Sequence, residues 1–113
     1  MIFKTEQMNS FRRMAEIKFR RAVIDQMRAD HPGFKSLTTE QQQSFIDPAL
    51  AWARHFGFTS ERALAFWSNV TWVLQPQWHE HVDLQPVLND LAPSEPERLF
   101  RLKTAIETAQ WNG

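Results

Sequence analysis

The sequence predicts an all-α protein, a single compact irregular bundle of four main helices plus one short helix. Apolar residues recur three and four positions apart in four long stretches, and Ser/Thr caps, glycines and prolines punctuate those stretches. The 113-residue length fits one domain, which at this size buries roughly two-thirds of the surface its unfolded chain exposes.

Phe11, Ala15, Phe19 and Val23 fall four apart and define one face of a first helix, with Asn9 or Ser10 as its expected cap. Residues 1–8, ahead of that cap, are read as disordered. The helix should stop near Asp30, because Pro32 disfavours helical geometry at His31 and Gly33 permits a turn. Thr38 or Thr39, each with a glutamine three residues on, opens a second helix whose stripe is Phe45, Ala49, Trp52 and Phe56. Pro48 lacks the N–H that would bond the Ser44 carbonyl, so a kink or a restart with Asp47 as cap is expected there. Gly57 ends the helix, and Phe58 sits where a Schellman turn places its hydrophobic contact.

Thr59 and Ser60 cap a third helix, with Glu61 in its first turn to suit the helix dipole. Its apolar content is nearly continuous from Ala63 to Leu74, the mark of a central helix. Pro76 breaks it. An irregular segment then runs through His79, Glu80, His81, Val82 and Asp83, and Pro86 suits the first position of a short helix over Val87, Leu88 and Leu91. Ser94 with Glu97, and Pro96 in the first turn, open the last helix, striped by Leu99, Leu102, Ile106 and Ala109. The expected helices lie near 9–30, 39–56, 60–74 and 95–110, with Phe19, Val23, Phe45, Trp52, Phe56, Leu64 and Leu102 in the core.

Composition narrows the function. The chain has no cysteine, so disulfides, thiolate metal sites and thiol nucleophiles are excluded, and stability rests on the apolar core. Neither a secretion signal nor an apolar run of membrane-spanning length is present, so the protein is read as cytoplasmic with no membrane partner. Thirteen basic residues balance thirteen acidic ones, and no global field gathers nucleic acid. The distribution is polar, however. Residues 1–30 hold seven basic and four acidic side chains, a net of +3, whereas residues 38–90 hold two and six, a net of −4. Arg12, Arg13, Arg20 and Arg21 recur over the first helix, but Glu16 and Asp25 lie four residues from three of them, so intrahelical ion pairs explain much of that charge and no nucleic-acid partner is expected.

His79, Glu80, His81 and Asp83 offer imidazole and carboxylate in one loop. In an extended segment His79 and His81 point the same way, yet the set falls short of a closed metal site and lacks the helical i, i+4 histidine spacing of zincins. No nucleophile elbow is present, and three glycines do not make a phosphate-cradling loop. The sequence therefore calls for no catalytic residue, no metal and no cofactor.

Five Trp and nine Phe in a chain of this size exceed what a small core hides readily, and Trp is enriched at interfaces. Trp72 and Trp78 flank the Pro-broken turn after the third helix and precede a polar segment. Trp78, rimmed by His79 and His81, is accordingly expected to be an exposed binding anchor, with Arg12 and Arg20 of the first helix as the other candidate partner contacts.

The unit Phe56-Gly57-Phe58-Thr59-Ser60-Glu61-Arg62, the Arg/Phe-rich first helix, the His31-Pro32 stop and Leu74-Gln75-Pro76-Gln77-Trp78 together resemble small helical proteins encoded beside effector genes of bacterial type VI secretion systems. The likeness extends from about Phe11 to Ala109. Gln75 stands where that family has Gly and Trp78 where it has Phe, and residues 79–91 match poorly. The resemblance implies an accessory or co-chaperone role, in which the protein helps an adaptor chaperone load an effector. The expectation is thus a non-enzymatic protein-binding factor. An immunity protein that neutralises a toxin is the main alternative, and a small metal-dependent enzyme is a more distant one.

Overall fold

In the computed structural model the chain is all-α, with backbone described for residues 2–111 and side chains for residues 14–111. The helices are α1 (Ile2–Asp30), α2 (Pro32–Lys35), α3 (Thr39–His55), α4 (Glu61–Val73), α5 (Gln85–Leu88) and α6 (Glu95–Thr108). Two 3₁₀ turns, Trp78–Glu80 and Val82–Leu84, occupy the segment expected to be irregular. The four long helices match the expected ones to within a few residues at all ends but the first. There the helix begins at Ile2, so Asn9 and Ser10 lie inside α1 and do not cap it. The expectation of disorder over residues 1–8 concerns a stretch whose side chains, with all of Met1, lie outside the described residues.

Within a chain expected to form one domain, contacts cluster into two compact units, the first reaching Asp47 and the second beginning at Pro48. In the first, α1 and the opening half of α3 run antiparallel, since Arg20 meets Asp47 while Arg28 meets Gln42. His31 adopts the extended geometry that a following proline favours, and α2 then turns Phe34 inward against Phe45 at 5.9 Å between ring centroids. Val23, Met27, Phe34 and Ile46 are fully buried. Gln42 is the polar tie of this unit. Its oxygen accepts from Arg28 Nε (2.9 Å) and Nη2 (2.6 Å), and its amide donates to the carbonyls of Phe34 (3.1 Å) and Leu37 (3.2 Å). Thr38 is the cap of α3, in a reciprocal box: Gln41 N–H donates to Thr38 Oγ1 at 3.1 Å and Thr38 N–H to Gln41 Oε1 at 3.0 Å.

Helix α3 runs through Pro48 without restarting at Asp47, contrary to expectation. Ser44 and Pro48 are both exposed, so the carbonyl that loses its donor lies on the water-facing side, where solvent can replace the missing bond.

The second unit is organised by the end of α3 and the start of α4. Gly57 adopts φ 89°, and Phe58 N–H donates to the Ala53 carbonyl (3.0 Å) while Gly57 N–H donates to Arg54 (2.9 Å), the two bonds of a Schellman turn. Phe58 is thereby buried. Ser60 caps α4 by accepting from Ala63 N–H, and Ser94 caps α6 by accepting from Glu97 N–H at 3.5 Å. The Glu95 carboxylate, from the first turn of α6, reaches across to accept from the backbone N–H groups of Thr59 (3.3 Å) and Ser60 (2.9 Å) and from the Thr59 hydroxyl (3.2 Å). Ala53, Leu64, Trp67, Leu84, Leu88 and Leu102 form the core between these helices. No helix among the described residues is long and apolar enough to cross a membrane.

Candidate functional site

The chain leaves α4 through Leu74, whose ψ of −84° breaks the helix, and a turn bonded from Trp78 N–H to the Gln75 carbonyl folds residue 78 back. Trp78 lands on the α4 face formed by Trp67 and Thr71, one turn apart. Its exposure is 0%, and its ring centroid lies 4.4 Å from that of Trp67. The polar cost of burying an indole is met locally, because Nε1–H donates to Thr71 Oγ1 at 2.9 Å and the Thr71 hydroxyl donates to the Trp67 carbonyl at 2.8 Å. The anchor expected at the surface is therefore interior. The sequence reading failed because a polar segment following Trp78 says nothing about the direction in which the turn sends the indole.

His79 is corrected in the same way. It is buried rather than on a polar rim, with its ring 4.4 Å from Trp52 and 5.9 Å from both Phe56 and Trp67. Burial holds the imidazole below its ordinary 6.5, opposed by nearby Glu80 and reinforced by His55, so the neutral ring is favoured. Trp72 is half-buried. The most exposed indole is that of Trp52, which was expected in the core and is 42% exposed at the edge of this ring cluster, with exposed His55 edge-on to it at 5.4 Å.

His81 has a different task. Its Nδ1 accepts from Asp83 N–H at 3.0 Å, which assigns the proton to Nε2, and Nε2 then donates to the Gln110 carbonyl at 2.8 Å. The ring lies edge-on to Trp111 at 4.5 Å, so the residue ties down the stretch after α6. The two 3₁₀ turns send His79 inward and His81 toward Trp111, in place of the common direction expected of an extended loop. Among the described residues no group of three His, Asp or Glu side chains could hold a metal ion.

On α1, the Arg12 side chain lies outside the described residues. Arg20 is partly exposed, and its Nη2 bonds both oxygens of Asp47 at 2.7 and 2.8 Å. Met14 and Ile17, one turn apart on the same helix, are 55% and 58% exposed. Between α1 and the first half of α3 lies a groove of about 460 Å³, to which Ile17, Arg20, Arg21, Ile24, Arg28 and Gln42 contribute.

Arg98 went unnoticed in the sequence. Nearly buried, it donates to the carbonyls of Phe56 (2.6 Å), Leu88 (3.1 Å) and Asp90 (3.0 Å) and lies 4.5 Å over the Phe58 ring. It joins the end of α3 to α5 and α6 through partners 42, 10 and 8 residues away, and no local pattern announces such a set. No protein-family model matches the chain, and neither does any curated protein or solved structure.

Proposed function

We propose that this protein is a non-enzymatic binding factor, a co-chaperone or adaptor partner that holds a type VI secretion effector, or the adaptor chaperone of one, in the cytoplasm before export, and that α1 is its docking face. The observation that carries the reading is an apolar pair one turn apart on α1, Met14 and Ile17, both more than half exposed. A helix ordinarily buries its large apolar side chains, and an uncovered pair beside guanidinium groups has the composition of a protein interface: an apolar centre with a charged border. The buried Trp78 is not available for this role, and α1 takes it over. The likeness of the Phe56–Arg62 turn and the Arg/Phe-rich first helix to secretion accessory proteins supplies the biological setting.

The test is co-purification with the products of the neighbouring reading frames, comparing the native chain with a Met14→Asp/Ile17→Asp variant whose helicity is unchanged by circular dichroism. An effector or adaptor chaperone should accompany the native chain and be lost with the variant, and deletion of the protein should impair effector delivery. Protection of toxin-exposed cells without any effect on delivery would make the protein an immunity factor instead. Undiminished association of the double variant would remove α1 as the docking face.

A further inference from the structure

We infer that the groove between α1 and the first half of α3 takes an acidic amphipathic helix of the partner protein, with carboxylates on Arg21 and Arg28 and an apolar stripe on Ile17. This rests on the reading of α1 as the docking face and adds the chemistry of what docks there. Among the described residues the groove, about 460 Å³, brings the guanidinium groups of Arg20, Arg21 and Arg28 together with one carboxylate, Asp25.

The state of each arginine determines what the groove can attract. Arg28 aims Nε and Nη2 at a single neutral oxygen of Gln42, at 2.9 and 2.6 Å. Its position is fixed, yet among the described residues its charge is opposed only by exposed Asp25, 3.8 Å from Nη1. Arg21 is exposed, and no described carboxylate lies within 4.0 Å of it. Arg20 spends Nη2 on Asp47, while its Nε is buried with no acceptor, a donor that remains unmatched within the described chain. The groove therefore combines held cations with an exposed aliphatic side chain, Ile17.

A carboxylate is the natural complement of a guanidinium, and aliphatic side chains are that of exposed Ile17. One ligand class presents both at the i, i+3, i+4 spacing of a helix face. A nucleic acid fits less well: among the described residues no aromatic side chain lines the groove for base stacking, and the charge of Arg20 is already matched by Asp47.

The experiment measures fluorescence anisotropy of the full chain with three labelled probes: two amphipathic helical peptides sharing one leucine stripe, flanked by Glu in one and Lys in the other, and a single-stranded oligonucleotide. The acidic peptide should bind about tenfold or more tightly than the basic one, and more weakly as salt rises. Arg21→Glu, at an exposed position, should abolish the preference with helicity unchanged, whereas Arg21→Lys should retain most of it. Equal binding of the two peptides, both lost in Met14→Asp/Ile17→Asp, would overturn the acidic partner while leaving α1 as a docking face. Binding of the oligonucleotide alone, or of no probe, would also overturn this inference, and the co-purification above would then judge the docking face by itself.

Discussion

Trp78 donates its indole N–H to Thr71 at 2.9 Å, and this bond converts an expected surface anchor into a core residue. Removing either side should cost stability by different routes. Trp78→Ala opens a cavity in a fully buried site and should lower the unfolding free energy by about 3–5 kcal/mol. Thr71→Val keeps the volume but strands the indole donor, at about 1–3 kcal/mol. Urea denaturation followed by helical circular dichroism gives both numbers, and a Trp78→Ala protein as stable as wild type would contradict the buried placement.

His79 makes stability depend on pH. Its imidazole is held below 6.5 by burial, so the unfolded chain takes up the proton first as pH falls. The contribution of the neutral ring is present above about 6.5 and is lost as pH falls toward the lowered folded value. The urea midpoint should decline between about pH 7.5 and pH 5, and His79→Phe, which keeps a ring in the cluster, should flatten that decline. An unchanged slope in the variant would assign the titration to another group.

Glu95 acts lower on the pH scale. Burial tends to raise its carboxyl, but hydrogen bonds from Ser60 and Thr59 outweigh it and hold the group below its ordinary 4.5. Its stabilising effect is therefore complete above 4.5 and is lost as pH falls through the lowered value. Glu95→Gln should remove that acid-range dependence and cost about 0.5–2 kcal/mol at neutral pH, the range for losing a helix cap. Chemical denaturation at neutral and acidic pH checks both parts.

Gly57 and Arg98 constrain each other. At φ 89° any L side chain is strained, and a Cβ on residue 57 would stand 3.0 Å from Arg98 Nη1. Gly57→Ala should cost about 1–2 kcal/mol through the backbone alone. Arg98→Met should cost more, because the Phe56, Leu88 and Asp90 carbonyls lose their shared donor, and thermal melts of the two variants should rank them in that order.

The sequence by itself determined the helical class, the four long helices and most of their ends. Thr38 with Gln41, Gly57 with Phe58, Ser60, and Ser94 with Glu97 are local signals, and each works through bonds reaching no more than five residues along the chain. Interactions of that span are set by neighbours in sequence, which is why they can be read there. Tertiary structure alone decided which aromatic rings are covered. Trp52 and Trp78 carry the same side chain and both lie near a proline, yet one is 42% exposed and the other 0%. The difference comes from the turn after Leu74, which folds Trp78 onto Trp67 and Thr71 and leaves Trp52 at the edge of the cluster. The roles of Arg98, Glu95 and Gln42 were likewise invisible, since each residue bonds partners on another element. On α1 the periodicity marked an apolar face without saying whether it is covered. On that face Val23 and Met27 are buried while Met14 and Ala15 are exposed, because burial is a property of what packs against a helix, and a helix's own sequence does not contain that information.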